Sequence, residues 1–186
     1  MNRNQSPVTV NRISYRRPAH PVVVICVDGG DPSYFEHALV EGIIPNIKKF
    51  MANGFTSFAQ SAMPSLTNPN NVSIITGVPP SLHGISGNYH FDPVTGAGTM
   101  MTDPAMIRCD SVLGKFSQEN ERVIAITAKE KLRRLLGKGI DIGGKGIVFS
   151  VEHADKCTPV EHGISDVLTM VNWPLPDIYS AELSLF

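Results

Sequence analysis

Seven consecutive residues, Pro21-Val-Val-Val-Ile-Cys-Val27, are apolar and mostly β-branched. As a strand such a run has no solvated face. It suits a position covered on both sides, in a parallel sheet lying between helices. Cys26, inside the run, reads as a small core residue. The run stops at Asp28-Gly29-Gly30-Asp31-Pro32, a dense turn signal that leaves a carboxylate at a strand end.

Other segments extend the same pattern. Pro45 near a start and Gly54 past an end bracket a helix. Phe55 to Ala62 alternates as a second strand, and Pro69 through Thr76 reads as a helix stopped by Gly77. A Gly/Pro/Asn-rich loop covers roughly 78–105. Ser111–Asn120 is a helix candidate, Arg122–Ala128 a third strand, Lys129–Leu136 a helix and Gly146–Ser150 a fourth strand. Ser165–Val171 and Pro176–Phe186 read as further helices. Strands alternating with helices predict an α/β fold with a mainly parallel sheet flanked by helices. Residues 1–20 read as a polar arm and 21–186 as one partial domain.

The formal net charge is −1 over 186 residues, which gives no electrostatic case for nucleic acid or an anionic membrane. No stretch approaches the length of a membrane span, and residues 1–20 lack the apolar run of a secretory signal. Three scattered cysteines, Cys26, Cys109 and Cys157, argue against a disulfide framework and for a reducing cytoplasm. The oligomeric state stays open, a homo-oligomer included.

Ligand sites in open α/β sheets lie beyond the carboxyl ends of strands. Asp28 holds such a position and could ligate a cation, while Gly29 and Gly30 let backbone approach a ligand. Equally, it could be a turn residue that caps the next helix. Thr67 stands at the entrance to the Pro69 helix, where N–H groups and the helix dipole favour an alkoxide and an anionic phosphoryl group. Local physics alone favours a plainer role for Thr67 or Asn68, that of N-cap.

The ordered set changes that weighing. Asp28, then Thr67-Asn-Pro69-Asn, then Thr76-Gly77 and His83-Gly84-Ile85 resembles the phosphodiesterase and nucleotide pyrophosphatase branch of the alkaline phosphatase superfamily. The resemblance implies an alkaline-phosphatase-like core. It makes Thr67 the nucleophile and a zinc ligand, Asp28 a ligand of the same zinc, and Asn88 a donor to a phosphoryl oxygen. His83 is structural in that pattern, and His90 reads as a loop residue. Within the branch, Thr127-Ala-Lys129-Glu-Lys131 resembles the phosphonoacetate hydrolases. There Lys129 and Lys131 would hold the substrate carboxylate, and cations there can stabilise the enolate left when the carbon–phosphorus bond breaks.

The implied reaction is attack by Thr67 on phosphorus, a threonyl-phosphate, and its hydrolysis with two zinc ions in the complete site. The resemblance also implies further Asp and His ligands from a later half, which is not found in these 186 residues. The expectation is therefore a truncated fragment, inactive alone. A broader phosphodiesterase, an anion-binding module and a structural fragment remain as rivals. Two decoys fall away. Gly139–Gly146 nearly matches a phosphate-binding loop, but Gly146 replaces the Ser or Thr that would bind magnesium. His153, Cys157 and His162 fit no tight zinc motif and read as surface residues.

Overall fold

The computed structural model describes residues 6–175. They divide into two compact units, one of residues 6–17 with 62–175 and the other Pro18–Ser61. The larger unit opens with a hairpin, β1 (Val8–Val10) and β2 (Ile13–Tyr15), inside the stretch that reads as a polar arm. Asn11 and Arg12 form its two-residue turn with φ of 49° and 68°, the left-handed pair that matches the twist of the flanking strands. Val8 and Val10 are buried. Asn11 also reaches across the unit: its Nδ2 donates to Thr76 O and Asp110 O, and its Oδ1 accepts from Asp110 N. Arg17 is tied to Glu119 and Glu121.

The smaller unit carries α1 (Pro32–Val40) and α2 (Pro45–Asn53). Both begin with proline, whose fixed φ suits the first helical position and whose missing N–H costs nothing there. Gly54 follows α2 as the sequence predicts. The expected strand at 21–27 is not formed. Those residues form no ladder with any described segment, and Val23 is 81% exposed. Cys26 is likewise exposed rather than a core residue. Phe55–Ala62 also forms no strand. The physical reason is that a strand needs a neighbour's open N–H and C=O groups, and the described residues of this unit supply only helices and loops.

In the larger unit, α3 (Thr67–Thr76) is followed by α4 (Pro80–His83), and the 78–105 stretch also holds the hairpin β3 (Tyr89–Phe91) and β4 (Gly98–Met100). His90 therefore sits in a strand, not a loop. Then come α5 (Val112–Gln118), β5 (Val123–Thr127), α6 (Glu130–Leu136) and β6 (Gly146–Ser150). Strands β5 and β6 pair in parallel, Val123 opposite Gly146 and Thr127 opposite Ser150. Helix α6 makes the crossover a parallel pair requires. The α/β reading holds, with one parallel and two antiparallel two-stranded ladders among the described residues. The chain continues into α7 (Pro159–His162) and α8 (Val167–Val171). The helix expected at 176–186 lies outside the described residues.

Helices α3 and α6 meet over a core of Val72, Ile85, Met101, Ile107 and Leu135. A second cluster, Val123, Ala125, Ile140 and Val148, fixes the β5–β6 pair. Strand β5 buries Val123, Ala125 and Thr127, while Ile124 and Ile126 are exposed. It is therefore covered on one face among the described residues.

His83 is wholly buried beside α3. Its Nδ1 accepts from Ile85 N, so its Nε2 carries the proton and donates to Ser73 Oγ, which in turn donates to Pro69 O. Burial lowers its pKa below 6.5, outweighing the backbone hydrogen bonds that push it up. The unfolded chain therefore takes up this proton more readily than the folded one. The stability that depends on a neutral ring is complete above about pH 6.5 and is lost as the pH falls below it. Urea unfolding from pH 7.5 to 5 should show stability falling by up to about 1.4 kcal/mol per pH unit below that point. The His83→Gln protein should lack this component.

Candidate active site

Thr67 is the first residue of α3, and Leu66 holds the cap position with no side-chain cap bond. Neither Thr67 nor Asn68 is therefore the cap, and the plainer sequence reading gives way. The first turn contains no acidic residue. The positive end of the helix dipole therefore stands beside Thr67 with no carboxylate of that turn to offset it. The hydroxyl-bearing residue is only partly buried.

Asparagines brace this turn. Asn70 Nδ2 donates to Leu66 O and Asn70 Oδ1 accepts from Ala62 N, while Asn71 Nδ2 donates to Thr67 O. Residues that usually compete with helix backbone are used here to hold the start of one. Asn88 joins from the loop before β3, its Oδ1 accepting from Asn68 N at 3.1 Å. That bond sets the acceptor end of the amide on the helix start and leaves Nδ2 as its donor end. Thr67 and Asn88 are thus brought together on one structure.

Lys129 caps α6 without a side-chain cap bond, and Lys131 lies in its first turn. Two cations there oppose the helix dipole, and the local answer is acidic. Glu152 Oε2 accepts from Glu130 N at 2.7 Å, although 22 residues separate them. Glu130 itself accepts from Ser150 Oγ and Arg133 Nε, each at 2.6 Å. Burial pushes the Glu130 pKa up, but these hydrogen bonds and the Arg133 and His153 charges bring it below its ordinary value. Glu130 is therefore a structural anion, and Lys129, an exposed residue, stays available. The α6 helix packs on α3, so the lysines ride on the element that adjoins the Thr67 helix.

Asp28 belongs to the smaller unit. It occupies the turn closed by Gly30 N to Val27 O, with Gly29 at φ 71°, a conformation glycine adopts without strain. The cap of α1 is Asp31, whose Oδ1 accepts from Ser33 N and Ser33 Oγ. The capping alternative for Asp28 is thereby removed. Oxygen donors such as Asp28 and Thr67 suit a hard or borderline cation. A catalytic zinc takes three protein ligands, however, and no group of three or more His, Cys, Asp or Glu able to hold a metal occurs among the described residues. These residues alone do not make a zinc site.

Both decoys resolve in structural terms. The segment 139–146 leads into β6, the reverse of a phosphate-binding loop's strand-to-helix order. His162 is buried, with Nδ1 accepting from Thr158 N, so it braces α7 rather than decorating a surface. Residues 151–156 run as a short 3-10 segment, and Cys157, which follows it, donates its Sγ–H to His153 O. No described helix is long and apolar enough to cross a membrane, and all three cysteines are free.

Known proteins share this fold. The chain is 44% identical to phosphonoacetate hydrolase from Sinorhizobium meliloti 1021 in complex with phosphonoformate, with a TM-score of 0.90 over 95% of this chain and 43% of that one. The same enzyme in complex with phosphonoacetate gives 43% identity at the same TM-score. An uncharacterized pyrophosphatase/phosphodiesterase of Schizosaccharomyces pombe is 41% identical over 76 residues, 40% of this chain and 15% of that protein. A bovine ectonucleotide pyrophosphatase/phosphodiesterase family member 3 is 34% identical over 73 residues, 39% of this chain and 8% of its own length. This chain therefore spans less than half of the solved hydrolases and a small part of these curated relatives. The family model for type I phosphodiesterase / nucleotide pyrophosphatase matches residues 22–142, and the chain belongs to that family.

Proposed function

We propose that this chain carries the nucleophile half of a phosphonoacetate hydrolase. The observation that supports the reading best is Thr67 at the first position of a helix without a side-chain cap, with the Asn88 amide docked on the next N–H. The solved neighbours at 44% and 43% identity are phosphonoacetate hydrolases, which favours this substrate over a nucleotide or phosphodiester.

In the proposed reaction Thr67 Oγ attacks phosphorus in line, and the carbon–phosphorus bond breaks with its electron pair moving to the acetate carbon. Asn88 Nδ2 donates to the phosphoryl oxygens, and the positive end of the α3 dipole favours their negative charge. Lys129 and Lys131 hold the carboxylate, so the carbanion is delocalised as an enolate beside two positive charges. Protonation of that carbon gives acetate, and water then releases phosphate from the threonyl ester. Asp28 and Thr67 are two of the zinc ligands in this reading. No group of three or more His, Cys, Asp or Glu able to hold a metal occurs among the described residues, so the 186-residue chain should bind zinc weakly.

Three outcomes test this. The purified chain with zinc added should release no phosphate from phosphonoacetate; release would overturn the ligand-count argument. A chimera completed with the remaining part of the Sinorhizobium meliloti hydrolase should be active. Changing Thr67→Ala in it should cost at least about three orders of magnitude in kcat, and retained activity would remove Thr67 as nucleophile. Lys129→Ala or Lys131→Ala should each lower kcat/KM for phosphonoacetate by roughly 10- to 100-fold, the value of a charge-assisted bond. Aryl phosphodiester hydrolysis should be spared. Equal losses on both substrates would show that the lysines do not read the carboxylate.

A further inference from the structure

Asn68 is 1% exposed. The proposed chemistry assigns it nothing, and the sequence offers it only as a helix cap, a position the structure gives to Leu66. Its side chain is nevertheless fully engaged at one end: Nδ2 donates to Met101 O at 2.9 Å. Met101 N donates to Asn88 O at 2.8 Å. Asn88 Oδ1 accepts from Asn68 N at 3.1 Å. Three bonds thus close a ring through three residues distant in sequence, and two of its links fix Asn88, one by its backbone and one by its side chain.

The other end of the same amide is costly. Asn68 Oδ1 is buried and finds no hydrogen-bond partner. An apolar residue of similar size would avoid that desolvation penalty, so stability alone is a poor reason for an amide here. Swapping the amide's oxygen and nitrogen gives no relief, because it would set Oδ1 against Met101 O. What the amide does accomplish is to hold the segment after β4 against the start of α3, and with it the backbone of Asn88.

We propose that Asn68 is a positioning residue. It locks the Asn88 side chain with the acceptor end on the α3 N-terminus and the donor end toward the phosphoryl position beside Thr67. This rests on the reading of Asn88 as the phosphoryl donor, yet the locking can be measured without substrate.

The experiment uses nuclear magnetic resonance on the 186-residue chain. In Asn68→Ala the Asn88 side-chain NH2 pair, assigned by its loss in Asn88→Asp, should move toward the position of a solvated asparagine. Exchange of the residue-68 backbone N–H with solvent should accelerate at least about tenfold. A merely structural Asn68 predicts the opposite result: an unmoved Asn88 pair in a folded Asn68→Ala protein, and this overturns the proposal.

Should Asn68→Ala fail to fold, the unaltered protein still decides. The N–H groups of Asn68 and Met101 belong to one ring and should exchange at the same rate within about threefold. A residue-68 N–H exchanging about tenfold or more faster than that of Met101 overturns the ring. Titration of the unaltered chain with phosphonoformate addresses Asn88 separately. A shift of its NH2 pair supports the phosphoryl role. An unmoved pair sinks that role and with it the orientation claimed here, while leaving the measured ring in place.

Discussion

The hydrogen bond from Asn68 N to Asn88 Oδ1 joins the two segments on which the candidate chemistry depends. On one side stands a helix whose first turn holds no acid and no side-chain cap. On the other is a loop residue whose amide has one acceptor and two donors to place. Spending the acceptor on the helix sets the donors. A short helix start is easily frayed, and this one is held by Asn70 and Asn71 from within and by Met101 and Asn88 from without. Beneath it, the buried His83–Ser73–Pro69 relay ties the same helix to the residues after α4.

The surroundings of the lysine pair follow a different logic. Two cations at the start of α6 would weaken that helix if left alone. Glu152 accepts the N–H of Glu130 at its N-terminus, and Arg133 and Ser150 hold Glu130 as an anion. The lysines are thereby relieved of a structural duty, which is the condition a substrate carboxylate would need to compete for them. Two helices that share a core each present a polar start, one bearing a hydroxyl among amides and one bearing ammonium groups.

Local punctuation was legible in the sequence. Pro45 and Gly54 bracket α2, Gly77 stops α3, and the β5–α6–β6 unit falls where alternating apolar runs place it. Partnership was not. The run at 21–27 has every local mark of a buried strand, yet a ladder belongs to two segments, and the described residues around this one give it none. The β1–β2 hairpin escaped notice because Val8 and Val10 are too few to stand out among arginines, although Asn11 was a turn signal. At the candidate site, Thr67 and Asn88 stand out only through an ordered pattern; local physics alone reads them as a cap and a loop residue. Glu152 and the Asn68–Met101 contact left no sequence trace, since they arise from packing across 22 and 33 residues.

The central claim is that Thr67 takes the phosphoryl group. Rapid acid quenching of the completed chimera with phosphonoacetate, followed by mass spectrometry of its peptides, measures this directly. The account predicts a transient phosphoryl group on the Thr67 side chain, appearing before phosphate accumulates. A phosphoryl group on any other residue, or undiminished single-turnover phosphate release from Thr67→Ala, would contradict it.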